Sequence, residues 1–590
     1  MADITNQNEA AAETAHTENN QQDNGSQVRI WPAVLIVLVY AAVAYGFSLL
    51  SSTAVQSVIG LAGVPLVALV LLIIWWFAAS RVPMRDRMAG LVVFVAAQAV
   101  VVLSQKANGP ILLAYSIPAM MTGAVAVLTI TFWLRWTARR WAVVFYILIC
   151  TGVFIAMRVD TVGGDLAPYV SWRWNANAGE SAKTLPIPDV HNTAALPERP
   201  GPGDWPGFRG PHRDSHVVGV KFSTDWSTPP KELWRMKIGE GWSSFAAMGD
   251  YIFTQEQRGN KELVTCYLAT TGEMVWVNSV DASREDTMGE GPRATPTFDQ
   301  GKLFTQGATG IIQCLDAATG NTVWKRDLTK DTEMKVPTWG FSSSPLVTGD
   351  LAITFSGKGD GKSAIAYHRL TGEVVWRAGH GSPVYSSPHF AVLDGIPQIL
   401  MTSDFGIESF VPETGASLWE HPWKIKTTPR CVQPLLVSNE LVMVGTTFSL
   451  GSRLLRIQKK DASWDIQGEW TTKKFRPYFN DSVLHKGYCY GFDGDRFACI
   501  DIKTGDRKWD GNRYGGQVLL LDDMDTLLVL SEAGEVVLIQ AIPDRFNEMA
   551  RFKAISGKTW NHPVVAHGKL FVRNAEEAVC YELPVSTTSP

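Results

Sequence analysis

Ten side chains in this sequence are of types that grip a flat, anionic ligand, and they fall at spaced intervals along its second half and a little before it. They are Trp242, Arg293, Trp339, Tyr385, Arg430, Arg476, Tyr478, Tyr514, Trp560 and Asn561. Aromatic faces stack on a planar ring, and guanidinium forks bind carboxylates through paired, charge-assisted hydrogen bonds. A plainer use of the same residues is to plug a channel mouth, with each Arg bonded to loop carbonyls. No nucleophile and base stand together, so no catalytic residue is assigned.

The seven cysteines form no C-x-x-C and no C-x-x-C-H, which removes the signatures of zinc ribbons and haem attachment; no metal ligand set is assigned. Cys266, Cys314 and Cys499 fill a slot held by Ala366 and Ser409 elsewhere, so they read as packing residues. Cys489 and Cys499 lie symmetrically about Gly494. They are two strands' worth of chain apart, where an oxidising compartment permits a disulfide.

Only a repeat brings ten scattered side chains to one place. Thr-Gly-x-x-x-Trp recurs at Gly272 and Trp276, Gly320 and Trp324, Gly372 and Trp376, Gly415 and Trp419, and Gly505 and Trp509. The spacing between copies, roughly 40–50 residues, is that of a propeller blade. Alternation in Ile312-Gln313-Cys314-Leu315-Asp316 suits a strand, Thr-Gly suits a tight turn, and the Trp falls on the next strand with a neighbouring blade to bury against. Units begin near Ser243, Ala294, Ser342, Ser386, Cys431, Phe479, Gly516 and Asn561. The fifth has Trp464 and Trp470 but no Thr-Gly, and the seventh lacks the Trp. The eighth stops before its outermost strand, and Lys231–Ile238, carrying Trp234, is a spare strand able to complete it. The expected fold is therefore an all-β propeller of eight four-stranded blades, closed by an N-terminal strand over residues 204–585, with 586–590 as a tail. In such a ring the loops entering each inner strand share one mouth.

The first 29 residues are polar and expected to be disordered. Residues 30–158 hold apolar stretches at Trp31–Leu50, Val58–Ala79, Met88–Ser104, Ile111–Leu134 and Trp141–Met157, each near the length of a bilayer core. Arg29, Arg81, Arg85, Arg87, Arg135, Arg139 and Arg140 flank alternate ends, and Lys106 is the exception. Positive-inside logic then places the N-terminus in the cytoplasm and everything after the fifth span outside, which in a bacterium is the periplasm of the inner membrane. No span carries Asp, Glu or Lys, so an anchor is the simple reading. Pro-rich residues 159–203 read as an extended tether, with Trp172 and Trp174 at the membrane interface.

Asp204-Trp-Pro-Gly-Phe-Arg-Gly-Pro-His-Arg-Asp214 and the Thr-Gly-x-x-x-Trp copies together resemble the pyrroloquinoline-quinone-repeat, quinoprotein-like propellers, notably those of planctomycete-type bacteria. The resemblance runs from Trp205 to about Pro584. It implies the fold but not the function, because the superfamily holds both dehydrogenases and non-catalytic scaffolds. Five membrane spans before an eight-bladed propeller are also the layout of membrane-bound quinoprotein glucose dehydrogenases. Against an enzyme stand the missing adjacent Cys-Cys pair and the absence of a Glu/Asn/Asp calcium set with a catalytic base. The compact blades are closer to the BamB-type scaffold. Two expectations follow. The first is a membrane-anchored periplasmic scaffold binding another periplasmic or membrane protein, or a ligand, with the bilayer as its other partner and no nucleic acid. The second is a sugar or alcohol dehydrogenase using pyrroloquinoline quinone with calcium and feeding the respiratory quinone pool.

Overall fold

The computed structural model describes residues 28–50, 59–105, 109–163, 168–175, 184–286, 288–356, 361–381, 385–425, 430–446 and 450–584. Most of the polar leader, the start of the second apolar stretch, Lys106 and the 586–590 tail lie outside the described residues. Two compact units divide the chain: Met1–Thr161 with Leu166–Asn175, and Val162–Asp165 with Ala176–Pro590.

The first unit is helical: α1 Trp31–Leu50, α2 Val64–Ala78, α3 Met84–Ser104, α4 Gly109–Ile130 and α5 Trp136–Ala156, followed by a hairpin of Met157–Val162 and Pro168–Trp172. Among the described residues three helices are long and apolar enough to cross a membrane: Met84–Ser104, Pro110–Ile130 and Trp136–Ala156. Trp31–Phe47 and Val64–Ala78 are shorter apolar helices among the described residues. The second stretch is shortened because a π-turn occupies Ile59–Gly63, and Pro65, at the start of α2, favours a fresh helix there. Gln98, the polar residue inside α3, is satisfied by the Ser116 hydroxyl of α4 at 2.6 Å. One end of the unit gathers arginines. There the Trp75 indole N–H donates to the Arg29 carbonyl and Trp76 to that of Arg87, while Arg139 donates to the Leu128 carbonyl.

The second unit is a ring of eight four-stranded antiparallel blades, all eight starting where the repeat predicts. Blade 2 is typical, with strands Thr297–Asp299, Lys302–Gln306, Ile311–Asp316 and Thr322–Asp327 running from the axis outward. Lys231–Lys237 pairs with Glu577–Glu582 as the outermost strand of blade 8, so the spare strand closes the ring. Long antiparallel register in every blade leaves only the axis and rim edges open.

The seams explain the repeat. Within a blade the small residue lies directly opposite the Trp: Cys314 faces Trp324, Ala366 faces Trp376 and Cys499 faces Trp509. The job of that packing slot is to leave room for the indole. The indoles of blades 1 to 3, Trp276, Trp324 and Trp376, then lie on the Thr-Gly turn of the next blade. A Cβ on Gly320 would sit 2.5 Å from the Trp276 ring, and one on Gly372 2.7 Å from Trp324. Gly372 is also left-handed, at φ +72°, so only Gly meets both demands. The indole N–H crosses the seam as well, from Trp276 to the Ala317 carbonyl and from Trp324 to that of Arg369. Trp419 differs: it faces blade 5, which lacks the turn, and its N–H goes to Gln398 of its own blade.

Two further expectations are corrected. Cys489 pairs in register with Ile500, and Cys499 with Tyr490. The two thiols are therefore one residue out of register and on opposite faces, and both are free. The stretch read as a tether is also strapped down in part. Pro186 accepts from Arg258, the Asn192 N–H donates to the Val275 carbonyl, and the Ala194 N–H to that of Ala318, so this segment runs along blades 1 and 2.

Candidate functional site

Inner strands of a propeller have one edge on the axis, so their backbone groups need partners from neighbouring blades. The first residues of each unit supply them. The Ser244 N–H donates to the Thr295 hydroxyl, Thr295 to Ser344, Ser344 to Ser387, Ser387 to the Gln433 side chain and Gln433 to Asp481, each within 3.2 Å. Asn480 then donates to the Gly516 carbonyl, Gln517 to the Trp560 carbonyl at 3.3 Å, and the Asn561 amide to the Ser243 carbonyl at 2.7 Å, which closes the circle. A cavity of about 190 Å³ sits on the axis inside this ring, and another of about 470 Å³ lies between Arg209, Arg213 and His216 and the inner strands of blades 3 to 6.

Six of the residues singled out from the sequence line that cavity together: Trp242, Arg293, Trp339, Tyr385, Tyr478 and Trp560. Trp242 and Trp560 lie 5.1 Å apart, Phe479 is 5.1 Å from Trp560, and Trp339 is 5.2 Å from Tyr385. Burial pushes both Tyr385 and Tyr478 up to about 12, so both are neutral phenols at neutral pH. Asn561 is a seam residue, bonded to Ser243. Tyr514 belongs to the seam core beyond blade 6 and bonds to Glu548.

The arginines do not form the expected electropositive mouth. Arg293 is held two-pronged by Asp286 at 2.9 and 3.0 Å, with the Gly289 and Gly291 carbonyls completing its shell. Arg430 is buried off the cavity, where it donates to the Gly406 and Trp423 carbonyls across the Trp423 ring. Arg476 is locked to both oxygens of Asp493. Each guanidinium is thus neutralised or solvated by the protein itself.

Two features escaped the sequence reading. The first is Lys558, whose ammonium lies 3.8 Å from the Trp560 ring centre and 4.8 Å from that of Trp242. Burial pushes it down to about 7, against the opposing pull of Glu532. Its only signal in the sequence is a Lys two residues before a Trp.

The second is the task of residues 204–217, a segment the sequence marked only by its resemblance: it crosses the channel. Arg209 donates to Ser215 at 2.8 Å and to the Ser482 carbonyl at 2.8 Å, beside Asp481. Arg213 reaches across the axis to the Ser344 and Pro345 carbonyls. Phe208 meets His562 edge-on, and His216–Val217 adds a parallel strand to the inner strand of blade 7. Arg209, Arg213 and Ser215 all have left-handed backbones, a strain that these contacts hold in place.

A protein-family model described as outer membrane protein assembly factor BamB matches residues 228–359 and 260–511. BamB of Shewanella oneidensis is 26% identical over 172 residues, 29% of this chain and 42% of that protein's length, so the match spans less than half of that relative. Among solved structures, BamB of Moraxella catarrhalis aligns at TM-score 0.45 and 14% identity, covering 60% of this chain and 99% of that one. The quinohemoprotein alcohol dehydrogenase ADHIIG of Pseudomonas putida HK5 aligns at TM-score 0.49 and 13% identity, covering 67% and 84%. The family model and the Shewanella relative make the propeller of this chain similar to BamB-type, PQQ-repeat proteins over residues 228–511.

Proposed function

We propose that this chain is a membrane-anchored scaffold whose propeller docks another protein on the periplasmic side of a bacterial inner membrane. The observation that carries this reading is the state of the three arginines. Arg293 and Arg476 are spent on internal carboxylates and Arg430 on buried carbonyls, so the axis offers aromatic surface rather than an anion receptor. The cavity at the aromatic mouth, at about 190 Å³, falls below the range of about 300–1,000 Å³ common for pockets that enclose a drug-sized ligand. A BamB-type relative described as an assembly factor supports a role exercised through protein contact.

The mouth residues do not fit a tricarboxylate quinone held with calcium. Asp481, which lines the cavity, already accepts from the Gln433 N–H and faces Arg209, while calcium takes six to eight oxygens. No catalytic step is derived through that group. The orientation rests on the arginines gathered at the cytoplasmic end in this reading: Arg29, Arg81, Arg85, Arg87, Arg135, Arg139 and Arg140.

Photocrosslinking from position 339 in cells tests the scaffold reading. A discrete protein adduct is expected there, and adducts to lipid alone would overturn it. Dye reduction by the detergent-solubilised chain after addition of pyrroloquinoline quinone and calcium would overturn it in favour of the dehydrogenase. A phosphatase fused after residue 584 is expected to be active; an inactive fusion beside an active cytoplasmic reporter would reverse the orientation.

A further inference from the structure

Blade 4 contains a juxtaposition that its fold alone does not explain. Glu408, in the third strand Gly406–Phe410, lies directly opposite Glu420, in the outer strand Ser417–Pro422. Like charges facing each other across an antiparallel pair oppose that pairing. Glu408 is 3% exposed, and it accepts one hydrogen bond, from the His380 N–H at 2.8 Å. Among the described residues no Lys or Arg pairs with it, and its second oxygen has no donor. A buried carboxylate in that state must be neutralised, by a proton or by a cation.

The third member comes from the neighbouring blade. His380 follows the outer strand of blade 3, Val374–Ala378, and its imidazole Nε2 lies 3.5 Å from Glu420 Oε2. One ligand atom from each of His380, Glu408 and Glu420 lies within 4.8 Å of the other two. We propose that these three side chains form a divalent metal site that pins blade 3 to blade 4.

The spacing fits the assignment. Ligands at about 2.0–2.1 Å from a tetrahedral ion stand about 3.3–3.4 Å apart, close to the separation of His380 and Glu420. Small side-chain movements bring Glu408 to the same centre. Two carboxylates balance a divalent charge, and the imidazole selects a transition metal over calcium or magnesium, which take oxygen shells. Three protein ligands leave the fourth position to water. The site lies on a blade seam, away from the axial cavity, so its role is to hold the ring rather than to serve the mouth.

The test uses the full-length chain in detergent, stripped with a chelator and titrated calorimetrically with Zn²⁺ alone and with Ca²⁺ alone. One equivalent of zinc is expected to bind and to raise the melting temperature. His380→Ala and Glu420→Gln should each weaken that binding by about tenfold or more and cancel the rise. Their side chains are 44% and 46% exposed, so neither change threatens folding. Absence of a stoichiometric zinc would overturn the proposal. So would zinc binding that survives both substitutions, which would place the metal on others of the chain's 11 histidines. Calcium binding as tightly as zinc, and lost in the same variants, would overturn the transition-metal assignment.

Discussion

If the blade seams are indoles lying on glycine turns, then Trp324 and Gly372 are one device, and changing them together must give less than the sum of the parts. Trp324→Ala empties a site 7% exposed, breaks the 2.8 Å bond to the Arg369 carbonyl, and removes ring contacts with Phe304 and Tyr367. Truncating a large buried aromatic costs about 3–5 kcal/mol. Gly372→Ala carries two costs. A left-handed backbone bearing a Cβ costs about 1–2 kcal/mol. The new methyl, 2.7 Å from the Trp324 ring, adds about 1–3 kcal/mol of overpacking. With the indole already gone the second cost vanishes, so the double variant should be more stable than additivity predicts by about 1–3 kcal/mol. Gly349→Ala is the control. Its φ is +54° and nothing lies within 4 Å of the added Cβ, so it should show the backbone cost alone. Urea unfolding of the full chain in detergent, followed by tryptophan fluorescence, measures all four variants. Additivity within about 0.5 kcal/mol would refute the seam mechanism.

The channel-crossing segment and the buried titratable groups give the other expectations. Arg209→Leu leaves Asp481 buried without its cation and should cost about 3–5 kcal/mol, part of which Asp481→Asn restores in the double variant; equal loss with and without Asp481→Asn would show that the pair is not the cause. His389 and His562 are both pushed down to about 3, by burial and then by Arg209, with Arg213 adding to His389. Between that value and the free imidazole at about 6.5 the unfolded chain takes up protons that the folded chain refuses. Stability is therefore complete above about pH 6.5 and falls as the pH drops toward 3, and His562→Asn should make this acid limb shallower. Cys489 and Cys499 should both stay unalkylated in the native chain and both react as free thiols after denaturation; a mass shift for a disulfide would contradict the register.

What was legible in the sequence was local. Thr-Gly-x-x-x-Trp can be read because a turn, its left-handed residue and a strand four positions on are consecutive in the chain. Blade 5, with its missing turn, was readable for the same reason, and Trp419 duly bonds within its own blade. The loops' convergence follows from the ring, and six of the ten residues line one cavity. The arginines failed because a guanidinium finds its partner in space. Asp493 is 17 residues beyond Arg476, and Gly406 is 24 residues before Arg430, on strands whose registers no local pattern reveals. The Cys489 and Cys499 pairing failed by one residue of register, which in a strand reverses the face.

The 204–217 motif changes what holds the ring closed. Strand exchange in blade 8 joins the chain's two ends at the rim, yet a rim latch alone leaves the inner strands free to part at the axis. The motif acts there. Trp205 pairs with Ala247 of blade 1, the Phe298 N–H of blade 2 donates to the Pro206 carbonyl, and Asp204 meets His567 of blade 8. Arg213 holds blade 3, Arg209 holds blade 6, and His216–Val217 joins blade 7. One short segment thus ties six blades across the channel. Two arginines suit this task because each projects several fixed donors and can satisfy carbonyls from different blades at once. The three left-handed residues, Arg209, Arg213 and Ser215, are what it takes to turn the chain tightly enough for both guanidinium groups to reach opposite walls. The segment ties the ring without packing the axis solid: Arg209, Arg213 and His216 still line a cavity of about 470 Å³ against the inner strands of blades 3 to 6.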